Sequence, residues 1–335
     1  MALQVPATLT APDIRPTIIA ELDILRRIAV TESAGVFKAR AYDKAIKAIG
    51  AWTIPIYCVE DVPAAAKGDS IGKDIRIKIL KIIEDGHLDI PESDRARATA
   101  LEAFQGIYGV GPKKAEQLID AGYTTIAEIR AALAANPKFL NKNQQIGLRY
   151  YDDLQLRIPR AEMDEHAAIL MAHKPAALEV IIVGSYRRGA VNSGDIDMLI
   201  RTADPTVDAG KALNDFVARL RAASYICEVL AHGDHKCLAV SQLSGSVARR
   251  LDLLVTPPEE FPFAVFYFTG CDTFNVRVRV HAKTLGFTLN EHALTHVASG
   301  KIVGGIKTER DIFKALKIEW REPHERTGPD AVKVV

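Results

Sequence analysis

Three carboxylates pose the chemical question. In "GDIDMLI" Asp195 and Asp197 stand two residues apart after a turn rich in Gly and Ser, and in "RRLDLLV" Asp252 stands inside an alternating apolar run. Residues i and i+2 of a strand share a face, so Asp195 and Asp197 project together while Ile196 and Met198 turn into a core. Asp252, flanked by leucines, faces out of the core from what reads as a neighbouring strand. Carboxylates crowded at a strand end repel one another unless a cation lies between them, and a divalent ion with oxygen ligands meets that need. Three such acids can hold two Mg²⁺ ions about 3.5–4 Å apart, which activates an attacking oxygen and stabilises a leaving one in phosphoryl transfer. Just upstream, "GSYRRG" offers backbone amides, the Ser185 hydroxyl and Arg188 to phosphate oxygens. The pattern points to a metal-bound triphosphate.

These side chains need a scaffold, and 335 residues suffice for two or three domains. From Ile14 to about Leu156 apolar residues recur at helical spacing, as in "IIAELDILRRIAV", "IRIKILKIIEDG" and "KKAEQLIDAG". After "RIPRAEM" β-branched runs take over in "EVIIVG", "DIDMLI", "YICEVLA", "KCLAVSQL" and "RRLDLLVT", with helices between and after them. The expected class is α+β: an all-helical N-terminal part, then a mixed sheet carrying the acids, then a small C-terminal α/β part. The hinge is expected near Leu156 to Arg160, with a lesser break at "GHLDIPES". A net charge of +1 hides an excess of base between Lys38 and Lys81. Cys58, Cys227, Cys237 and Cys271 have no metal-ligand or disulfide spacing. The N-terminus lacks a secretory pattern and no run of about 18 apolar residues occurs, so a soluble, intracellular protein without membrane contact is expected.

"GSYRRGAVNSGDIDMLI" with "RRLDLLV" resembles the nucleotidyltransferase palm of family X DNA polymerases, and "YFTGCDTFN" with "GFTLNE" is similar to the DNA polymerase beta branch of that family. The similarity runs from about Ile14 to "DIFKALKIEWREPHER". It implies domains at 10–91, 92–156, 157–260 and 261–335: lyase-like, DNA-binding, catalytic and nucleotide-selecting. It further implies that Asp195 and Asp197 bind both metals. Asp252 would bind the catalytic metal and accept the primer 3′-hydroxyl proton, with Mn²⁺ able to replace Mg²⁺. Ser185, Arg188, Ser193 and Gly194 would contact the triphosphate. Tyr267 and Phe268 suit a bulky wall against a 2′-hydroxyl, with Gly270 allowing backbone close to the sugar. Asp272 and Asn275 would lie against the base, Arg279 would reach the template strand, and Arg250 would contact DNA. Glu291 matches a position that supports a closed state, whereas Leu254 and His292 depart from the family's Arg and Tyr.

In the helical part "GVGPKKAEQL" reads as a Gly-rich turn feeding a helix whose first amides, with Lys113 and Lys114, can grip a DNA phosphate without reading bases. It resembles a helix-hairpin-helix motif, which implies DNA contacts at Gly109, Gly111 and Lys113. It also implies a Na⁺ or K⁺ ion held by backbone carbonyls of Gln105, Ile107 and Val110. "DSIGKDIRIKIL" echoes it, with Gly72 in the matching place and Ser70 for the first Gly. The resemblance places a 5′-deoxyribose phosphate lyase here, with Lys78 as Schiff-base nucleophile and Lys38 and Tyr42 beside the DNA end. A lysine suits that role when a positive field leaves some amine neutral. Asp74 and Phe37 stand where a Lys and a His are common.

The resulting expectation is a monomeric, template-directed gap-filling polymerase of base excision repair. It would take gapped or nicked DNA and dNTP and work beside a ligase and an AP endonuclease, in a nucleus, a mitochondrion or a virus. No proofreading or appended phosphoesterase segment is expected. The competing classes are a template-independent or RNA-extending transferase, with the hairpin elements and "YFTGCDTFN" arguing against RNA addition, and a non-catalytic gap binder, against which the three intact acids argue.

Overall fold

The computed structural model describes residues 12–32, 35–63, 71–202, 204 and 206–335. Chain contacts divide it into two compact units between Arg149 and Tyr150, each considered in turn.

The first unit is helical: α1 (Arg15–Thr31), α2 (Val36–Gly50), α3 (Lys73–Asp85), α4 (Glu92–Gln105), α5 (Pro112–Asp120), α6 (Ile126–Ala135) and α7 (Lys142–Arg149). Local chemistry sets the ends. Gly86, at φ +79°, closes α3 in the left-handed region that glycine adopts at least cost. Thr125 and Glu128 form a reciprocal capping box at the start of α6. Ile18, Leu22, Ala45, Ile49, Ile79 and Ile82 build the core of the first three helices. The break expected at "GHLDIPES" lies inside this unit and is sewn shut. Glu21 on α1 accepts from both Nη atoms of Arg95 on α4 at 2.7 and 2.8 Å and from the Leu88 amide at 2.8 Å. The Arg95 guanidinium holds the Glu21 carboxyl below its ordinary range, against the opposing effect of burial.

The second unit carries α8 (Tyr151–Leu154), β1 (Ile158–Pro159), α9 (Arg160–His173), β2 (Leu178–Ile182), α10 (Gly184–Arg187), β3 (Asn192–Ser193), β4 (Ile196–Thr202), α11 (Ala209–Ala222), β5 (Ile226–Gly233), β6 (Lys236–Gln242) and β7 (Ala248–Val255). After these come α12 (Phe261–Thr269), α13 (Asp272–Thr284), β8 (Phe287–Leu289), β9 (Leu294–His296) and α14 (Glu309–Ala315). The main sheet runs β2-β4-β7-β6-β5, antiparallel except for the parallel β4–β7 pair. Its mixed character is the α+β architecture read from the sequence. One face packs Ile196, Met198, Leu251 and Leu253, all fully buried, against Leu213, Phe216 and Leu220 of α11. A second core joins Phe263 and Phe266 of α12 with Phe274, Val278, Leu289, Leu294 and Phe313.

The adjacent arginines of β7 are split across the sheet. Arg249 is 4% exposed, makes bidentate contacts of 2.7 and 2.9 Å with Glu162 of α9, and donates to the Leu156 carbonyl at 3.0 Å. Asp153 accepts from the Ala248 amide at 3.0 Å. These bonds explain why the contact division precedes the hinge expected at Leu156 to Arg160: the chain is already fastened to the sheet by α8. Among the described residues no helix is long and apolar enough to cross a membrane, and the four cysteines are free.

Gly147 on α7 lies against the turn between α4 and α5, where an added Cβ would come within 2.6 Å of the Tyr108 amide and carbonyl. Gly147→Ala should therefore destabilise the first unit by roughly 1–3 kcal/mol through backbone displacement, read as a lower urea midpoint of the helical signal. An unchanged midpoint would contradict this close approach.

Candidate active site

The parallel register of β4 and β7 sets Asp197 directly opposite Asp252. Their neighbours Ile196, Met198, Leu251 and Leu253 are fully buried on the other face, so both carboxylates emerge on the opposite one, where Leu199 packs against Ala264 and Val265 of α12. Asp195 sits just before β4 on the same side. The turn behind them is equally close. Val183 N donates to the Asp197 carbonyl at 2.9 Å, and Gly184, at φ +64°, leaves room where a Cβ would stand 2.9 Å from Asp197 Oδ2. A side chain there would displace the carboxylate.

The acids do not sit comfortably together. Burial pushes the Asp197 carboxyl up to about 7, and the negative charges of Asp195 and Asp252 push it in the same direction. Burial raises Asp252 too, opposed by Arg250 and reinforced by Asp195. Arg250 answers part of this charge: its Nη2 donates to Asp195 Oδ2, and its Nε lies 3.4 Å from Asp252 Oδ1. That Asp252 oxygen is buried yet accepts no hydrogen bond. Arg250, read from the family as a DNA contact, is here committed to the acids. Among the described residues no three carboxylate, imidazole or thiolate groups are gathered closely enough to hold a metal as they stand. The donor set nonetheless fits a hard divalent cation. It is all oxygen, crowded and under-neutralised, with an unused lone pair on Asp252, and it requires Asp195 to exchange Arg250 for the ion.

Beside the acids stand α10 and β3. Ser185 Oγ donates to Ser193 Oγ at 2.9 Å, and Arg188 Nη1 donates to the Thr269 carbonyl at 2.9 Å. Gly194 is exposed beside them. Sequence reasoning missed Arg157. Its Nε donates to Asn192 Oδ1 at 2.9 Å and its Nη2 to the Asn192 carbonyl at 3.2 Å. A Cβ on Gly194 would lie 3.0 Å from Arg157 Nη1. The available signal was "LRIPR" at the junction, but only the pairing of Ile158 with Ser193 brings that arginine to the turn. Arg187 was also passed over. It donates to Thr269 Oγ1 and pairs with Glu309 at 2.7 Å, and Glu309 also binds the fully buried Arg326. Burial alone would raise the Glu309 carboxyl; the two guanidinium groups outweigh it and lower it.

At the other rim Tyr267 and Phe268 meet edge-on, ring centres 5.2 Å apart. Asn275 Nδ2 donates to the carbonyls of Tyr267 and Gly270 at 2.7 and 3.1 Å, leaving its buried Oδ1 without a hydrogen bond. Gly270 is obligatory here, since a Cβ would stand 2.6 Å from Asn275 Oδ1 and from the Phe274 ring. Arg279 lies 5.9 Å from the Tyr267 ring centre, and Asp272 is exposed in the first turn of α13.

In the first unit the hairpin between α4 and α5 has Gly109 at φ +82°, its carbonyl held by Gln144 Nε2 at 3.0 Å. Gly111 and Gly72 are the extended N-cap residues of α5 and α3, a shared geometry behind the sequence echo. Gln105 ends α4, Val110 N donates to the Ile107 carbonyl at 2.9 Å, and Lys113 is exposed. Lys78 is half-buried on α3, four residues after Asp74. Tyr42 is buried, which raises its phenol, with Lys38 opposing and Glu32 and Asp74 reinforcing. Lys38 pairs with Glu32 at 3.2 Å, so part of the basic excess is already answered. Asp69 and Ser70 lie outside the described residues.

Taken in chain order, a helical hairpin segment, a sheet with paired acids and a helical cap over a hairpin have counterparts in known families. Family models agree segment by segment: the fingers domain of DNA polymerase lambda matches residues 102–155, the DNA polymerase beta palm 157–258 and the DNA polymerase beta thumb 264–327. The chain is 31% identical to DNA polymerase lambda of Rattus norvegicus over 96% of its own length and 58% of that protein. It is 30% identical to DNA polymerase lambda of Arabidopsis thaliana over 80% of itself and 54% of that protein. It is 23% identical to the DNA polymerase type-X family protein pol4 of Schizosaccharomyces pombe, over 86% and 60%. The chain thus belongs to the family X DNA polymerases, and it spans a little over half the length of these relatives.

Removing one buried like charge tests the crowding of the acids. Asp197→Asn should raise the thermal midpoint in chelator by about 2–4 °C, for roughly 1 kcal/mol gained in a unit of this size. Added Mg²⁺ should stabilise the wild type but not the variant. A wild type indifferent to Mg²⁺ would sink the proposed fit.

Proposed function

We propose that the chain fills short gaps in DNA by template-directed addition of dNMP to a primer 3′-hydroxyl, in base excision repair. The observation that carries this reading is the pairing of Asp197 with Asp252 on parallel strands, with Asp195 alongside, in a chain that belongs to family X. Asp195 and Asp197 would hold the divalent ions, with Asp252 completing the set. Two Mg²⁺ or Mn²⁺ ions, when bound, lower the pKa of the attacking hydroxyl and neutralise charge on the leaving group. Asp252 is the acceptor for the hydroxyl proton; burial has already made its carboxyl more basic than usual. Ser185, Arg188, the Gly194 backbone and Arg157 grip the triphosphate, and Tyr267 and Phe268 bar a ribose 2′-hydroxyl. Asn275 and Asp272 face the base, and Arg279 the template.

We read palm and thumb as the DNA polymerase beta type, in keeping with the family models matched there. The first unit would grip DNA phosphates through the turns at Gly109–Lys113 and Gly72, with Na⁺ or K⁺ on the Gln105, Ile107 and Val110 carbonyls. Lys78 would form the Schiff base that releases a 5′-deoxyribose phosphate, with Tyr42 and Lys38 beside it. A DNA ligase and an AP endonuclease are the expected neighbours, and a nucleus the expected compartment.

Single-nucleotide insertion on a one-nucleotide gap bearing a 5′-phosphate is the test. Asp252→Ala should lower insertion on the order of 10³-fold or more while gap binding persists; surviving insertion rejects that acid. Borohydride should trap wild type, but not Lys78→Ala, on a 5′-deoxyribose phosphate end, and equal trapping excludes Lys78. Affinity for gapped DNA should fall steeply between about 50 and 200 mM salt, and a flat response contradicts phosphate-led binding.

A further inference from the structure

The tip of the β8–β9 hairpin carries a titratable group that no step of the proposed reaction uses. His292 Nδ1 lies 2.6 Å from Glu260 Oε2, and Glu260 is the N-cap residue of α12. On the other side of the ring Nε2 lies 3.9 Å from Glu291 Oε1. These are the charged groups acting on the imidazole: Glu260 from the start of α12 and Glu291 from the hairpin. Asn290 Oδ1 fixes the tip by accepting from the amides of His292 and Ala293 at 3.0 and 2.9 Å. An imidazolium can donate to both acids at once; the neutral ring has one N–H and serves one.

The two elements joined here are the ones that shape the nucleotide rim. β8 and β9 pack Leu289 and Leu294 into the core of α13, which bears Asn275 and Arg279. α12 ends in Tyr267, Phe268 and Thr269, and its Phe263 and Phe266 belong to the same core. The bonds from Asn275 to Tyr267 and Gly270 show how closely the facing ends of α12 and α13 must be matched.

We propose that the His292–Glu260 pair is a proton-dependent clasp that sets α13 against α12, making His292 and Glu260 positioning residues for the incoming nucleotide. The proposal rests on the polymerase reading above. With the clasp closed the rim is preorganised, so less of the nucleotide's binding free energy goes into ordering it. Glu260 raises the imidazole above its ordinary value, against a smaller effect of burial. The clasp is therefore complete at low pH and weakened, to at most one neutral hydrogen bond, as pH climbs through that raised value. His292 and Glu260 are 60% and 31% exposed, which keeps the effect modest.

The experiment measures nucleotide KM and kcat for gap insertion between pH 6 and 9. In wild type KM should rise about two- to fivefold across this range, beyond any change seen in His292→Lys, which keeps a cation without titrating near neutrality. His292→Gln and Glu260→Gln should show the high KM throughout, with kcat within about twofold of wild type at each pH. Histidine NMR of the full chain should place the His292 titration above 6.5 and bring it down in Glu260→Gln. Superimposable KM profiles for wild type and His292→Lys, or a His292 titration unmoved in Glu260→Gln, would overturn the clasp. No insertion by wild type at any pH would remove the polymerase reading, while the NMR titration still reports on the pair itself.

Discussion

Like charge held against its own repulsion is the constraint around which the second unit is arranged. Asp197 and Asp252 would separate if they could; they do not, because the strands bearing them are locked in register by the apolar residues between. Ile196, Met198, Leu251 and Leu253 are fully buried beneath the acids, and each contributes on the order of 2 kcal/mol of burial. Slipping one strand by a residue would exchange its two faces, turning those side chains out of their core and the acids into it. The cost of that slip far exceeds the repulsion at the surface, so the hydrophobic pattern enforces an electrostatic arrangement that the carboxylates alone would reject. Arg250 relieves the strain in part. A bound cation would relieve it further, since burial first and neighbouring negative charge after it have raised both Asp197 and Asp252.

Much of this was legible in the sequence because period-two alternation is a local signal. "DIDMLI" and "RRLDLLV" state which face each acid must take, and the helical spacing before "RIPRAEM" states where strands are absent. The parallel pairing that sets Asp197 opposite Asp252 was not written there, since register between strands some 55 residues apart is a property of the assembled sheet. Arg157 and Arg187 escaped for the same reason. Each looks like an ordinary surface cation until β1 pairs with β3, or until Glu309 arrives from far along the chain. Arg250 belongs with them: the family resemblance implies a DNA contact for it, and its bond to Asp195 is visible only in three dimensions.

The helical unit teaches a complementary lesson. A Pro- and Gly-containing stretch such as "GHLDIPES" breaks the helical period and reads as a boundary. A boundary, however, is a matter of what crosses it, and Glu21, Leu88 and Arg95 cross this one with well-aligned bonds. Charged side chains, nearly silent in a periodicity reading, decide that the break is a bend.

The buried Glu309 adds a temporal dimension. It joins Arg187, which precedes it by 122 residues, to Arg326, which follows it by 17. A ribosome releases the turn and its acids long before either the carboxylate or its second arginine. Until Glu309 has been made, Arg187 has no carboxylate to fix it to α14. A nascent chain therefore carries the strands of its sheet before it can fix Arg187 in place.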